Sequence, residues 1–166
     1  RNIQIAHSDL IKGMWNRHAF VGIELRGKIL GVVGLGRIGL EVAQRALAFG
    51  MEIIGYDPYV NDTVLKEYNI LKCDLDELTA KSDFITLHIP LIDSTKKIFD
   101  INRLSRMKKN ARIINVARGG LIDEKDLVHA LNNDIIVGAA IDVFEKEPLD
   151  QNSPLLKALV PLCYRN

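Results

Sequence analysis

One short stretch constrains the fold more than any other. The apolar run Lys28-Ile-Leu-Gly-Val-Val-Gly34 leads straight into Gly34-Leu-Gly36-Arg-Ile-Gly39. From Arg37 to Phe49, apolar residues then recur at helical spacing (Ile38, Val42, Ala46, Phe49). A short, continuous apolar run is the pattern of a strand buried on both faces of a parallel sheet. The glycines therefore sit where a strand turns tightly into a helix, and Gly50 is placed to stop that helix.

Each glycine has its own physical task. Gly34 permits the tight turn, and Gly36 lets the backbone approach a pyrophosphate with no side chain between them. Gly39 lets the helix pack closely on the strand. Unpaired N–H groups and the dipole at the helix start favour phosphate oxygens. A second apolar strand, Met51 to Tyr56, ends at Asp57, eighteen residues after Gly39. That carboxylate accepts both ribose hydroxyl hydrogens and repels a 2′-phosphate. Three glycines alone are a weak signal, but strand, turn, helix and acid together predict a dinucleotide site that takes NAD in preference to NADP.

The rest of the chain repeats the alternation. Asn61 to Tyr68 reads as a helix and Ile70-Leu71 as a very short third strand. Asp74-Leu-Asp-Glu77 has capping-box spacing and opens another helix. Strands follow at Phe84 to His88, Arg112 to Val116 and Ile135 to Ile141, with helices at Asn102 to Lys108 and Asp123 to Leu131 between them. Ahead of all this, Ser8 to Trp15 reads as an opening helix capped by Ser8, with a linker through Gly22 and Gly27. The prediction is an α/β, Rossmann-type doubly wound parallel sheet of about six strands, with helices on both faces. A length of 166 residues suits a single domain.

Composition narrows the partners. Lys plus Arg (22) nearly balances Asp plus Glu (21), so a net charge of +1 gives no electrostatic case for nucleic acid or an anionic membrane. The apolar runs are far shorter than the roughly 20 residues of a membrane-spanning helix. Cys73 and Cys163 stand alone, no metal-ligand spacing is present, and a reducing cytoplasm is the expected compartment. The chain starts at Arg1 rather than Met, so it is expected to begin inside a longer protein or to have been processed.

Ligands of open α/β sheets bind outside the carboxyl ends of the strands. Several polar residues fall there: His88 after the fourth strand, Arg118-Gly-Gly120 after the fifth, and Asp142, Glu145 and Glu147 after the sixth. An Arg on a glycine-flanked turn is placed to bind a carboxylate in bidentate fashion. On their own, Glu145 and Glu147 read as ordinary loop charges. His7, His18 and His129 read as solvated or structural.

Several segments resemble one family. They are Gly22-Ile-Glu-Leu-Arg-Gly-Lys28, Leu30 to Gly39, Ile54-Gly-Tyr-Asp-Pro58, Ser82 to Leu91, Asn115-Val-Ala-Arg-Gly-Gly-Leu-Ile-Asp123 and Gly138-Ala-Ala-Ile-Asp-Val-Phe-Glu-Lys-Glu-Pro148. The whole chain resembles the nucleotide-binding domain of the D-isomer-specific 2-hydroxyacid dehydrogenases. The opening Gly13-Met-Trp-Asn-Arg17 resembles their phosphoglycerate-acting subgroup.

The resemblance implies roles. Arg118 binds the substrate carboxylate and its carbonyl or hydroxyl, and Glu147 pairs with a catalytic His. Asp142 holds the nicotinamide carboxamide, and Ala117 lies near the nicotinamide ribose. Arg37 and Ile38 contact the pyrophosphate, Asp57 the adenosine ribose, and Pro90 and Leu91 border the adenosine side. Arg17 is the implied contact for a substrate phosphate. The resemblance also implies NAD as cofactor, a small 2-hydroxyacid as substrate and a homodimer formed through this domain, with Trp15 as an anchor. The family's catalytic His belongs to a Pro-His segment beyond Ser153-Pro-Leu155, whereas here no His follows His129. The expectation is a chain that binds NAD and lacks its general acid/base, with a substrate-binding domain built from both chain ends lying outside it. The main functional reading is oxidation of 3-phosphoglycerate. Its rivals are a glycerate- or glyoxylate-type dehydrogenase and a non-catalytic, NAD-sensing module of the corepressor type.

Overall fold

A computed structural model describes residues 3–158 and 163–164. The strands are β1 (Ile29–Val33), β2 (Glu52–Tyr56), β3 (Leu71–Lys72), β4 (Phe84–Leu87), β5 (Arg112–Asn115), β6 (Gly138–Ile141) and β7 (Cys163–Tyr164). They form one sheet in the order β3-β2-β1-β4-β5-β6-β7, and every pair is parallel. The helices are α1 (Ile3–Ile11), α2 (Arg37–Ala48), α3 (Asp62–Glu67), α4 (Leu75–Lys81), α5 (Ile101–Leu104) and α6 (Glu124–Asn132). The chain runs outward from β1 through β2 to β3, returns to β4 beside β1, and then runs the other way. The switch point lies between β1 and β4, where a doubly wound sheet opens a crevice.

Alternation along the strands sorts side chains onto two faces. On one, Val33, Ile54, Ile85, Leu87, Ile113 and Ile141 pack with Leu78, Leu104, Leu127 and Leu131 of α4, α5 and α6. On the other, Leu30, Val32 and Ile53 pack with Ala43 and Ala46 of α2 and Leu65 of α3. Four helices start on acidic or amide caps: Asn61 accepts from the Thr63 N–H, Asp74 from Glu77, Asp100 from Arg103, and Asp123 from Lys125 and Asp126. Among the described residues, no buried side-chain polar atom lacks a hydrogen-bond partner.

The six predicted strands are present, and β7 is an addition that the sequence pattern did not announce. Most boundaries move by a residue or more, and four of the differences have a visible cause. The opening helix starts at Ile3, so Ser8 lies inside it rather than capping it, and Trp15 falls beyond its end. Gln4 and Ala6 are helix formers, and nothing upstream of Ser8 interrupts the helix. The third strand is shifted by one residue, because the Ile70 N–H bonds the Leu65 carbonyl instead of the ladder. The helix expected over Asn102 to Lys108 is only α5, since three-residue turns after Leu104 carry Met107 into the core. The sixth strand begins at Gly138, because Ile135 and Ile136 bond Ala130 and Val137 bonds Ala111.

The opening helix lies apart from the core. No residue of α1 is buried, and Trp15 is 78% exposed. Cys73 is a free thiol; burial, helped by the Glu77 and Asp74 carboxylates, pushes it up to about 11. It is therefore protonated and unreactive at neutral pH. No helix among the described residues is long and apolar enough to cross a membrane.

Candidate functional site

Register places the site. Tyr56, Val33, Leu87, Asn115 and Ile141 are neighbours across β2, β1, β4, β5 and β6. The next residue on each strand forms the carboxyl rim: Asp57, Gly34, His88, Val116 and Asp142. Strands lie about 4.8 Å apart, so Asp57 and Asp142 stand roughly 19 Å from one another. They cannot grip one small group, but they can hold the two ends of an extended ligand.

The glycine turn is built as the sequence requires. Gly34 has φ +95°, and a Cβ there would stand 2.6 Å from the His88 carbonyl oxygen. A Cβ on Gly39 would stand 2.0 Å from the Gly34 carbonyl oxygen. Both sites are closed by backbone. At Gly36 a Cβ would meet nothing within 4 Å, so this glycine is not required by the protein's own packing. Gly36 is also the N-cap of the twelve-residue α2, and no side chain caps that end. The helix thus presents free N–H groups to an open cradle, which is what a pyrophosphate needs. Arg37 and Ile38, the first two residues of α2, are exposed beside it.

Asp57 is stitched to the same turn. Its carboxylate accepts from the Leu35 N–H at 2.8 Å and the Tyr59 N–H at 2.8 Å. A carboxylate has about four acceptor positions, so two remain for ribose hydroxyls. Across the switch point, the β4 loop is held by Thr95, whose hydroxyl accepts from the Ile92 N–H and donates to the Pro90 carbonyl at 2.7 Å. Leu91 of that loop lies over Gly120, where a Cβ would be 3.5 Å from it. His88 contacts the Thr86 hydroxyl at 3.0 Å, and burial holds its ring below the usual imidazole range. It is therefore uncharged at neutral pH.

The β5 and β6 loops meet face to face. A Cβ on Gly119 would fall 1.8 Å from the Phe144 carbonyl oxygen, so only glycine permits this contact. Glu124 accepts from the Glu145 N–H at 2.7 Å, which ties the start of α6 to the β6 loop. Lys97 donates its N–H to the Gly120 carbonyl at 2.7 Å, and its ammonium pairs with Asp123 at 2.7 Å. These contacts bring Ala117, Arg118, Asp142 and Glu147 to one corner. Arg118 is exposed and donates only to the Ala117 carbonyl, at 2.6 Å. Glu147 accepts from the Phe144 N–H at 3.0 Å, and Asp142 is exposed. None of these three charged groups is in an ion pair among the described residues.

Arg17 lies elsewhere. It opens a short 3-10 turn, Arg17–Phe20, next to α1, on the segment that enters the sheet at the amino end of β1. Among the described residues, no hydrogen bond or ion pair ties it to the carboxyl rim. Three groups that shape the corner were not singled out from the sequence: Asn115, Thr95 and Glu124. No local signal marks a long-range partner such as Glu124 for Glu145.

The residues therefore fit a dinucleotide: an open glycine cradle on an uncapped helix, a carboxylate at one end of the rim, and an Arg with two carboxylates at the other. Comparison with known proteins agrees. The family model described as D-isomer specific 2-hydroxyacid dehydrogenase, NAD binding domain, matches residues 1–161. D-3-phosphoglycerate dehydrogenase of Methanocaldococcus jannaschii is 54% identical over 157 residues, which are 94% of this chain and 30% of that protein. The chain thus spans under a third of that relative's length. Among solved structures, Salmonella D-lactate dehydrogenase superposes with a TM-score of 0.87 at 29% identity, over 99% of this chain and 53% of its own. The D-lactate dehydrogenase of Lactobacillus jensenii, solved with NAD+, gives 0.78 at 31% identity, over 92% and 48%. This chain belongs to the D-isomer-specific 2-hydroxyacid dehydrogenases and folds as their NAD-binding domain.

Proposed function

We propose that the protein carrying this domain oxidises the 2-hydroxyl of a D-2-hydroxyacid, and that its substrate is D-3-phosphoglycerate, at the entry to serine synthesis. One observation carries the reading: Arg118, Asp142 and Glu147 converge, outside any ion pair, at the far end of a rim that begins with the glycine cradle and Asp57. The identity to a D-3-phosphoglycerate dehydrogenase supports the choice of substrate.

NAD, when bound, supplies the hydride acceptor. The free N–H groups of α2 and the open Gly36 hold its pyrophosphate, Asp57 its adenosine ribose, and Ala117 and Asp142 its nicotinamide end. Pro90 and Leu91 border the adenosine side. The Arg118 guanidinium binds the substrate carboxylate and C2 oxygen, which fixes C2 in place. Its positive charge also favours the electron-rich C2 oxygen that develops as the hydroxyl loses its proton. Glu147 pairs with the family's catalytic His, raises its basicity and so favours proton uptake from the hydroxyl.

Assay of the full-length protein with D-3-phosphoglycerate and NAD tests this. Turnover is expected, and Arg118→Ala should lower kcat/KM about 10²–10³-fold while NAD binding persists. No turnover, or an unaffected Arg118→Ala, would refute the reading. The proposed assembly is a homodimer through this domain, supported by the exposed apolar side chains of α1 and its neighbour: Ile3 at 75%, Ile11 at 73% and Trp15 at 78%. Light scattering should give twice the monomer mass, and Trp15→Glu should shift it toward the monomer. The proposed compartment is the cytoplasm, where a free Cys73 stays reduced.

A further inference from the structure

We propose that Asn115 is the positioning residue that aims Arg118, and that its side-chain amide does so by bonding the catalytic loop at two points at once. The proposal rests on reading Arg118 as the carboxylate-binding group.

Asn115 is the last residue of β5 and is only 2% exposed. Its neighbours in the register row are Leu87 and Ile141, both core residues. A primary amide in that row is unfavourable unless its polar atoms are bonded. They are, and all to the site. The Asn115 Nδ2 donates to the Arg118 carbonyl at 2.9 Å. Its Oδ1 accepts from the Ala117 N–H at 3.1 Å. Its backbone carbonyl accepts from the Asp142 N–H at 3.0 Å. A carbonyl can only accept and an N–H can only donate, so the orientation of the amide is fixed by its partners.

The Ala117 bond alone would be an ordinary Asx turn. The bond to the Arg118 carbonyl goes further: it closes the loop back on its own strand and fixes where the Arg118 Cα stands. The Asp142 bond is made by the backbone and is independent of the side chain at 115; it holds the end of β5 beside the β6 wall. Opposite, Gly119 seats against Phe144 with no room for a side chain. The Arg118–Gly119 backbone is thus held from the core side by the Asn115 amide and from the loop side by Phe144, while the exposed guanidinium bonds the adjacent Ala117 carbonyl. Rigid support behind an exposed head group is what a substrate-orienting Arg requires, because a displacement of about 1 Å can cost about 10²-fold in rate.

The test uses the full-length protein, D-3-phosphoglycerate and NAD. Asn115→Ala should lower kcat/KM by about 10²-fold, with the Kd for NAD within about threefold of wild type, since Asp57 and the glycine cradle stand three and two strands away. Asn115→Ser keeps a hydroxyl for the Ala117 N–H but cannot reach the Arg118 carbonyl. It should be as slow as Asn115→Ala, with a Tm closer to wild type. In an Arg118→Ala background, Asn115→Ala should cost less than about a further threefold, since a group acting through Arg118 has nothing left to act on. Additive losses, recovery of rate in Asn115→Ser, NAD affinity falling in step with kcat, or failure of both variants to fold would each overturn the proposal. If the wild-type protein gives no turnover, the functional reading fails separately. The positioning claim is then decided by the crystal structure of Asn115→Ser. Arg118 Cα should move by about 1 Å or more against an unchanged glycine turn, and an unmoved Arg118 would overturn it.

Discussion

At the amino end of the sheet, Asp83 accepts from the Ile29 N–H at 2.8 Å and pairs with Lys108 at 2.9 Å. Its own N–H bonds the Ile29 carbonyl, and its carbonyl accepts from Arg112. Arg112 in turn lies over the Phe84 ring, 5.6 Å from its centre. One acid thereby joins the starts of β1, β4 and β5. At the carboxyl end of the same sheet, Asp57, Arg118, Asp142 and Glu147 carry no ion pair among the described residues, and α2 begins without a side-chain cap. Both ends belong to one sheet, so the difference lies in how charge is partnered. Where charges neutralise each other, they stabilise the sheet. Where they are held by backbone bonds and left without counter-ions, a ligand must supply the partner.

That contrast predicts that rim substitutions change binding more than stability, and amino-end substitutions the reverse. The largest effect should come from Asp57→Ala. Loss of charge-assisted ribose bonds should weaken NAD about 10²-fold, measured by calorimetry on the full-length protein. NADP, no longer repelled, should approach the same affinity. An unchanged preference for NAD would break the assignment of Asp57.

Next in size is a pair within one turn. Gly36→Ala points its methyl into open space and should leave Tm unchanged while weakening NAD about tenfold, or about 1.4 kcal/mol. Gly39→Ala drives its methyl into the Gly34 carbonyl and should lower stability by about 1–3 kcal/mol before any ligand is added. Thermal melts with and without NAD separate the two. Equal behaviour would mean that Gly36 is structural.

The smallest effect belongs to the amino end. Burial raises the Asp83 carboxyl, but the Ile29 N–H and the Lys108 ammonium outweigh it, and the group sits below its usual range. Its ionised form therefore stabilises the fold above the unfolded value of about 3.9, and that stabilisation is lost as pH falls through the lower folded value. Asp83→Asn should lose about 1 kcal/mol at pH 7, reduced by solvent around the pair. The gap to wild type should close below about pH 4, with NAD affinity unchanged throughout. A gap that persists in acid would show that packing, not charge, holds this end.

Much of this was legible in the residues themselves. The glycine turn, its strand, its helix and Asp57 sit within 30 consecutive positions, Lys28 to Asp57, and obey local sterics, so their pattern is readable without contacts. Caps such as Asp74 and Asp123 are local in the same way. The readings that shifted involve competition from distant partners: Met107 is drawn into the core, Val137 bonds Ala111, and Ile70 turns back to Leu65. Ser8 was misplaced because a capping residue type is also tolerated inside a helix.

The site divides along the same line. Sequence alone determined the chemistry available: a phosphate cradle, a carboxylate to choose between cofactors, and an Arg and acids after the later strands. Only the tertiary structure decided which of these groups meet. Asn115 and Glu124 carry no mark as site residues in one dimension, and the glycine pair after Arg118 does not say what Gly119 seats against. Their partners lie across a sheet whose strand order reverses between β1 and β4, and hydrogen bonds and steric exclusion act through space, not along the chain.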